Sequence, residues 1–115
     1  MVKRNFEIPA MFESEPAGGK GLLKLTKPSE SIGGPEKVRT FALAELEPNS
    51  AVGFHMHYGE SESYYILSGT GVYNDNGTLV PVEAGDVTFT PSGEGHGLEN
   101  TGDGILKFIA LIVLD

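Results

Sequence analysis

The chain of 115 residues holds three histidines, and all of them fall between Val52 and Asn100. Two form the triplet His55-Met56-His57. Residues i and i+2 of a β-strand point to the same face, so both imidazoles project from one side. Glu62 follows beyond a predicted turn at Tyr58-Gly59-Glu60. It is expected on the adjacent antiparallel strand, facing the pair. His96 comes much later, after a hairpin and a loop at Pro91–Gly95. It can join the others only if the fold returns the chain to the same face. Three neutral imidazoles and a carboxylate make a site for one divalent first-row metal, and this donor set suits Mn, Fe, Ni, Co, Cu or Zn alike. Cysteine is absent, which removes a thiolate zinc site, a thiol nucleophile and a disulfide framework together.

The elements that must position these residues read as short strands. No window carries an apolar stripe at helical spacing free of Gly or Pro. Strands are predicted at Leu22–Thr26, Val38–Leu46, Val52–His57, Glu62–Leu67, Gly71–Tyr73, Leu79–Val82, Val87–Thr90 and Gly97–Asn100. The apolar run Ile105–Leu114 closes the set as a buried strand. Asn74-Asp75-Asn76-Gly77 is a hairpin signal, because Asn and Gly tolerate positive φ. Many short strands between turns predict an all-β sandwich or barrel. Residues 1–36 are less regular, and one helical turn is expected near Met11. They read as an N-terminal arm packing on a barrel domain of residues 37–115.

Sixteen acidic residues against eight basic ones give a formal charge of −8. A nucleic-acid surface has the opposite balance. The longest apolar run is too short for a membrane helix, which needs about 20 residues. Lys3 and Arg4 are not followed by an apolar stretch of signal-peptide length. The expectation is a cytoplasmic protein with neither a nucleic-acid nor a membrane partner.

The two histidine clusters carry a specific resemblance. The stretch Gly53–Gly69 resembles the first motif of the cupin superfamily: an HxH pair, four residues to Glu62, then six to Gly69. Gly85, Pro91, Gly93, His96 and Asn100 fill the fixed positions of the second motif. The resemblance spans about residues 38–114. One position departs from it: the glycine that opens the first motif is Asn49 here, the residue after Gly best suited to positive φ. The resemblance implies a double-stranded β-helix, or jelly-roll barrel, of the small single-domain cupin type. It also implies His55, His57, Glu62 and His96 as metal ligands. Glu60 is the rival of Glu62, but it has the wrong spacing for the motif. Asn100 is expected to make a structural hydrogen bond.

Four protein ligands on an octahedral metal leave two positions open, and a +2 ion beside one carboxylate favours a small anionic ligand. Strand parity turns Tyr64 and Ile66 inward with Glu62. Tyr64 is the one side chain put forward for a catalytic role. One of two sets on the last strand, Phe108, Ala110 and Ile112 or Ile109, Leu111 and Val113, is expected to line an apolar wall. Arg39 could clamp a carboxylate, although a surface role is favoured. Oxalate decarboxylases of this superfamily carry an arginine three residues before the first motif histidine. Val52 stands there instead, which weakens that chemistry. The function expected first is a metal-dependent enzyme acting on a small organic acid, of dioxygenase, decarboxylase or isomerase type. The alternative is a non-catalytic module that senses or binds a small ligand or metal. A homodimer is expected, through the arm and the outward Phe54, Tyr65 and Leu67.

Overall fold

Where buried and exposed side chains alternate, the backbone is extended. The computed structural model covers residues 1–115. Its strands are Ala10–Ser14 (β1), Leu22–Thr26 (β2), Val38–Leu46 (β3), Ala51–Met56 (β4), Glu60–Ser68 (β5), Thr70–Asp75 (β6), Thr78–Glu83 (β7), Val87–Thr90 (β8), Gly95–Asn100 (β9) and Leu106–Leu114 (β10). One short helix, Pro28–Ile32 (α1), joins β2 to β3. No helix is long and apolar enough to cross a membrane.

All strand pairings within the two sheets are antiparallel. The larger sheet has the order β1-β2-β3-β10-β5-β8, and the smaller one β4-β9-β6-β7. Their inner faces enclose one core, the jelly-roll arrangement. Parity along β10 decides which residues line it: Leu106, Phe108, Ala110 and Ile112 are buried, while the residues between them are half-buried on the outer face. On β3, Ala42, Ala44 and Leu46 point inward. Alanine at positions 44 and 110, near the middle of the larger sheet, leaves inward space unfilled. That space is a cavity of about 240 Å³.

Turn chemistry follows the residue types. β6 and β7 close across the pair Asp75↔Thr78. The two loop residues, Asn76 and Gly77, both take positive φ, at 49° and 104°, as a tight hairpin that matches strand twist requires. Asn74 Oδ1 accepts from the Gly77 N–H at 2.7 Å. Asn49 also sits at positive φ, 61°, so the turn that departs from the motif keeps its shape.

Two expectations need correction. The helical turn near Met11 is strand β1, which pairs with β2 in the register Met11↔Leu25. Pro9 and Pro16 bracket a segment too short for a stable helix, and the free edge of β2 offers it a ladder. Glu62 does not lie on a strand adjacent to the histidine pair: β4 pairs with β9, and β5 pairs with β10 and β8. Glu62 reaches the histidines across the barrel, from the opposite sheet. The turn before β5 is also shorter than expected, since Glu60 already belongs to the strand. Residues 1–36 contribute β1 and β2 to the larger sheet, and Leu23 and Leu25 to the core.

Candidate metal centre

His55 and His96 are direct cross-strand partners on β4 and β9. A register shift between Val52 and His55 marks a bulge in β4, and bulges re-aim side chains. His57 lies just beyond β4 and is tied to the loop before β9: its N–H donates to the Glu94 carbonyl and its own carbonyl accepts from the Gly93 N–H. Glu62 enters from β5. One potential ligand atom from each of these four residues lies within 4.8 Å of the others. The structure therefore brings together all four residues expected as ligands. His57, Glu62 and His96 are buried, and His55 is half-buried.

The spacing of the inward atoms suits a metal. His57 Nε2 and His96 Nε2 are 3.0 Å apart. Glu62 Oε1 is 3.1 Å from His57 Nε2 and 2.8 Å from His96 Nε2. Donors held at about 2.1 Å from one ion lie about 3.0 Å apart at a right angle and about 3.4 Å apart at the tetrahedral angle. The observed triangle matches one face of an octahedron.

The groups behind the rings set which nitrogens carry protons. His55 Nδ1 donates to the Gly53 carbonyl at 2.7 Å. His57 Nδ1 donates to Glu60 Oε2, also at 2.7 Å. Both Nε2 atoms therefore present lone pairs inward. His96 Nδ1 meets the Tyr73 hydroxyl at 2.7 Å, and that hydroxyl meets Thr90 Oγ1 at 2.7 Å. With Nδ1–H donating to Tyr73 and Tyr73 donating to Thr90, His96 Nε2 is a third inward acceptor. In that tautomer four acceptors converge with no proton among them, a set that a cation completes. Burial holds the His55 pKa below its ordinary value of 6.5, a shift the Gly53 carbonyl opposes, so the ring stays in the neutral form a metal needs.

His55, His57 and Glu62 line the cavity, whose walls also include Leu25, Val52, Phe108 and Ile112. The inward set on β10 is thus Phe108, Ala110 and Ile112. Val52 is part of the apolar wall. Tyr64 is buried and lines the cavity. Burial, reinforced by Glu62, pushes its hydroxyl well above the ordinary tyrosine value, so it stays protonated and can donate. Lys27, Arg39 and Glu13 also line the cavity. Arg39 is half-exposed, and its guanidinium is held by Glu60 through two bonds of 2.8 and 2.9 Å.

Asn100 makes the structural bonds expected of it. Its Nδ2 donates to the Leu46 and Gly104 carbonyls, and its Oδ1 accepts from Gly102. Sequence reasoning missed Tyr73 and Thr90 behind His96. Alternation along β6 and β8 could have marked both as inward, but not as partners of one histidine. It also missed Gly53, whose carbonyl orients His55, because no side chain announces that role.

Comparison with known proteins agrees with this fold. A family model described as a cupin domain matches residues 42–112. An oxalate-binding protein of Thermotoga maritima is 48% identical over 114 residues, which is 99% of this chain and 94% of the relative. The crystal structure of a predicted oxalate decarboxylase from Thermotoga maritima superposes with a TM-score of 0.90 at 48% identity, covering 100% of both chains. A sugar phosphate isomerase of the cupin superfamily from Silicibacter pomeroyi gives a TM-score of 0.81 over 100% of this chain and 76% of its own. Its identity is 21%, so the likeness is one of fold.

Proposed function

The chain belongs to the cupin domain family, and from that premise we propose that it is a metal-dependent binding protein for a small dicarboxylate of the oxalate class. The observation that carries the reading is the convergence of four potential ligand atoms, three of whose residues line a cavity that is otherwise mostly apolar. His55, His57, Glu62 and His96 hold the metal, which supplies positive charge and open coordination positions for carboxylate oxygens. The Tyr64 hydroxyl, protonated in its buried setting, donates to the bound anion. Lys27 adds positive charge along the cavity wall. The apolar residues around the anion exclude water, which strengthens each of these contacts. The similarity to a protein named for oxalate binding supports the choice of anion.

Calorimetry tests this reading. The Mn²⁺-loaded protein takes up about one oxalate per chain, and the metal-free protein takes up none. A loaded protein indifferent to oxalate overturns the proposal. The second reading is the metal-dependent enzyme acting on a small organic acid. Tyr64 favours it, as a proton donor facing the cavity. Val52 weighs against the decarboxylase form, because the only arginine lining the cavity, Arg39, is engaged by Glu60. Release of carbon dioxide from oxalate by the loaded protein would move the assignment to this second reading.

We also propose that the chain forms a homodimer. Tyr65 and Leu67 are exposed on the outer face of the larger sheet, together with Phe41 and Phe89. Phe54 is exposed on the smaller sheet, so a two-fold contact centred on Tyr65 leaves it out. Light scattering gives twice the 12.2 kDa chain mass if the pairing is right, and the single mass if it is wrong.

A further inference from the structure

Glu60 and Glu62 sit two residues apart on β5, and both carboxylates are directed at the same centre. Glu62 meets the inward nitrogens. Glu60 meets the outward nitrogen of one ring, His57 Nδ1, at 2.7 Å. Glu60 is itself fixed by Arg39: Nε donates to Oε1 at 2.8 Å and Nη2 donates to Oε2 at 2.9 Å. Oε2 therefore accepts from both the guanidinium and the imidazole. Arg39 lies on β3 and Glu60 on β5, with β10 between them, so the link spans the sheet across one intervening strand.

His57 is the only one of the three rings backed by a charged group. His55 is backed by a peptide carbonyl, and His96 by a tyrosine hydroxyl. A carboxylate behind a ligand imidazole fixes its tautomer and raises the basicity of the nitrogen facing the metal. Fixing Glu60 in one orientation makes this effect permanent. The Arg39 side chain is half-exposed, and ion pairs of that exposure add little to folding stability. The pair is thus better explained by what it does to His57 than by what it does for the fold.

We infer that Glu60, clamped by Arg39, is a positioning residue that holds His57 with its Nε2 lone pair toward the metal and so sets the affinity of the centre. The inference rests on the reading of His57 as a ligand. It gives the rival carboxylate of the sequence a separate role in the same centre, and it ties Arg39 to the centre rather than to the bound anion.

The test is Zn²⁺ titration of the metal-free full chain by competition calorimetry, with the wild type, E60A, E60Q and R39A compared. E60A weakens Zn²⁺ binding by about 10- to 100-fold. E60Q keeps an acceptor oxygen but loses the charge, so it falls between E60A and the wild type. R39A weakens binding less than E60A, because the carboxylate remains but is free to turn. Long-range ¹H–¹⁵N spectra of the metal-free protein supply a readout that a purely structural role would not move. The wild-type His57 ring carries its proton on Nδ1. In E60A that proton redistributes toward Nε2, while the His55 ring keeps the wild-type pattern. Wild-type affinity in E60A, or an unchanged His57 tautomer, overturns the inference. A wild-type chain that takes up no Zn²⁺ fails before any variant is compared, and overturns the metal-centre reading itself. Circular dichroism confirms that each variant is folded; if E60A is not, E60Q and R39A still give the ordered loss of affinity, and its absence in both overturns the inference.

Discussion

Gly53 is where the N-terminal segment, the strand β4 and the metal centre meet, and replacing it with alanine tests all three. A Cβ at this position would lie 2.3 Å from the Ala17 carbonyl oxygen, 2.8 Å from Gly19 N and 3.0 Å from Gly18 C. All three neighbours are backbone, so no side chain can swing aside. Ordinary contacts of a Cβ begin near 3.4 Å; relieving the closest one requires a shift of about 1 Å, typical of core overpacking. Neither side yields easily. Lys20 and Ala51 exchange two backbone hydrogen bonds of 3.0 and 2.9 Å. Ala17 is already strained at φ 50°. Overpacking costs about 1–3 kcal/mol, and rigid backbone on both sides places G53A toward the upper end. At about 4 °C per kcal/mol for a domain of this size, Tm falls by roughly 10 °C. The Gly53 carbonyl shifts as well, so His55 loses its fixed orientation and metal affinity drops about 10-fold. Scanning calorimetry gives the first quantity and Mn²⁺ titration the second. G104A is the control, because nothing lies within 4 Å of a Cβ there. A G53A protein with Tm within about 2 °C of wild type would refute this account of the packing.

Other outcomes follow from the same structure. N100A removes three hydrogen bonds around the β9–β10 turn, among them the one to the carbonyl of fully buried Leu46, which should cost about 2–4 kcal/mol in urea unfolding; a loss below about 1 kcal/mol would contradict it. F108A empties a fully buried site beside Tyr64, with ring centroids 4.5 Å apart, and should cost about 3–5 kcal/mol. Y64F should keep Mn²⁺ affinity while weakening oxalate by about 10- to 100-fold, the worth of one hydrogen bond to a charged group; equal weakening of both would remove Tyr64 from anion binding. For the metal-free protein, His55 has a lowered pKa when folded, so the unfolded chain takes up its proton first. Stability is therefore undiminished above the ordinary 6.5 and falls as pH drops below it. The urea midpoint should be lower at about pH 5.5 than at about pH 7.5, and less so in H55A. An equal pH dependence in H55A would contradict the assignment.

Much of this arrangement is legible in the sequence because it depends on parity and turn chemistry. β2, β3 and β8 begin and end where alternation meets Gly, Pro or Asn. Parity alone turns Glu62, Tyr64 and Ile66 inward, and HxH puts two imidazoles on one face. What is not legible depends on partners distant in the chain. Residues 10–14 carry no strong pattern of their own and become a strand only because β2 exposes an edge. Nothing local says that β4 and β5 lie in opposite sheets, so Glu62 was expected beside the histidines rather than across from them. Arg39, Glu60 and His57 come together through the order β3-β10-β5, which no single segment encodes. The close approach of Ala17 to Gly53 is equally silent, since glycine marks the space without naming what fills it.

The central claim is that His55, His57, Glu62 and His96 hold one divalent metal. Elemental analysis after loading the chain with Mn²⁺ and removing the excess tests it most directly, with H96A measured in parallel. His96 is fully buried at 0% exposure and lies 2.8 Å from Glu62 Oε1, so its loss opens the centre. The account predicts about one metal per wild-type chain and almost none in H96A. A wild-type chain that retains no metal, or an H96A chain that retains as much as wild type, would contradict it.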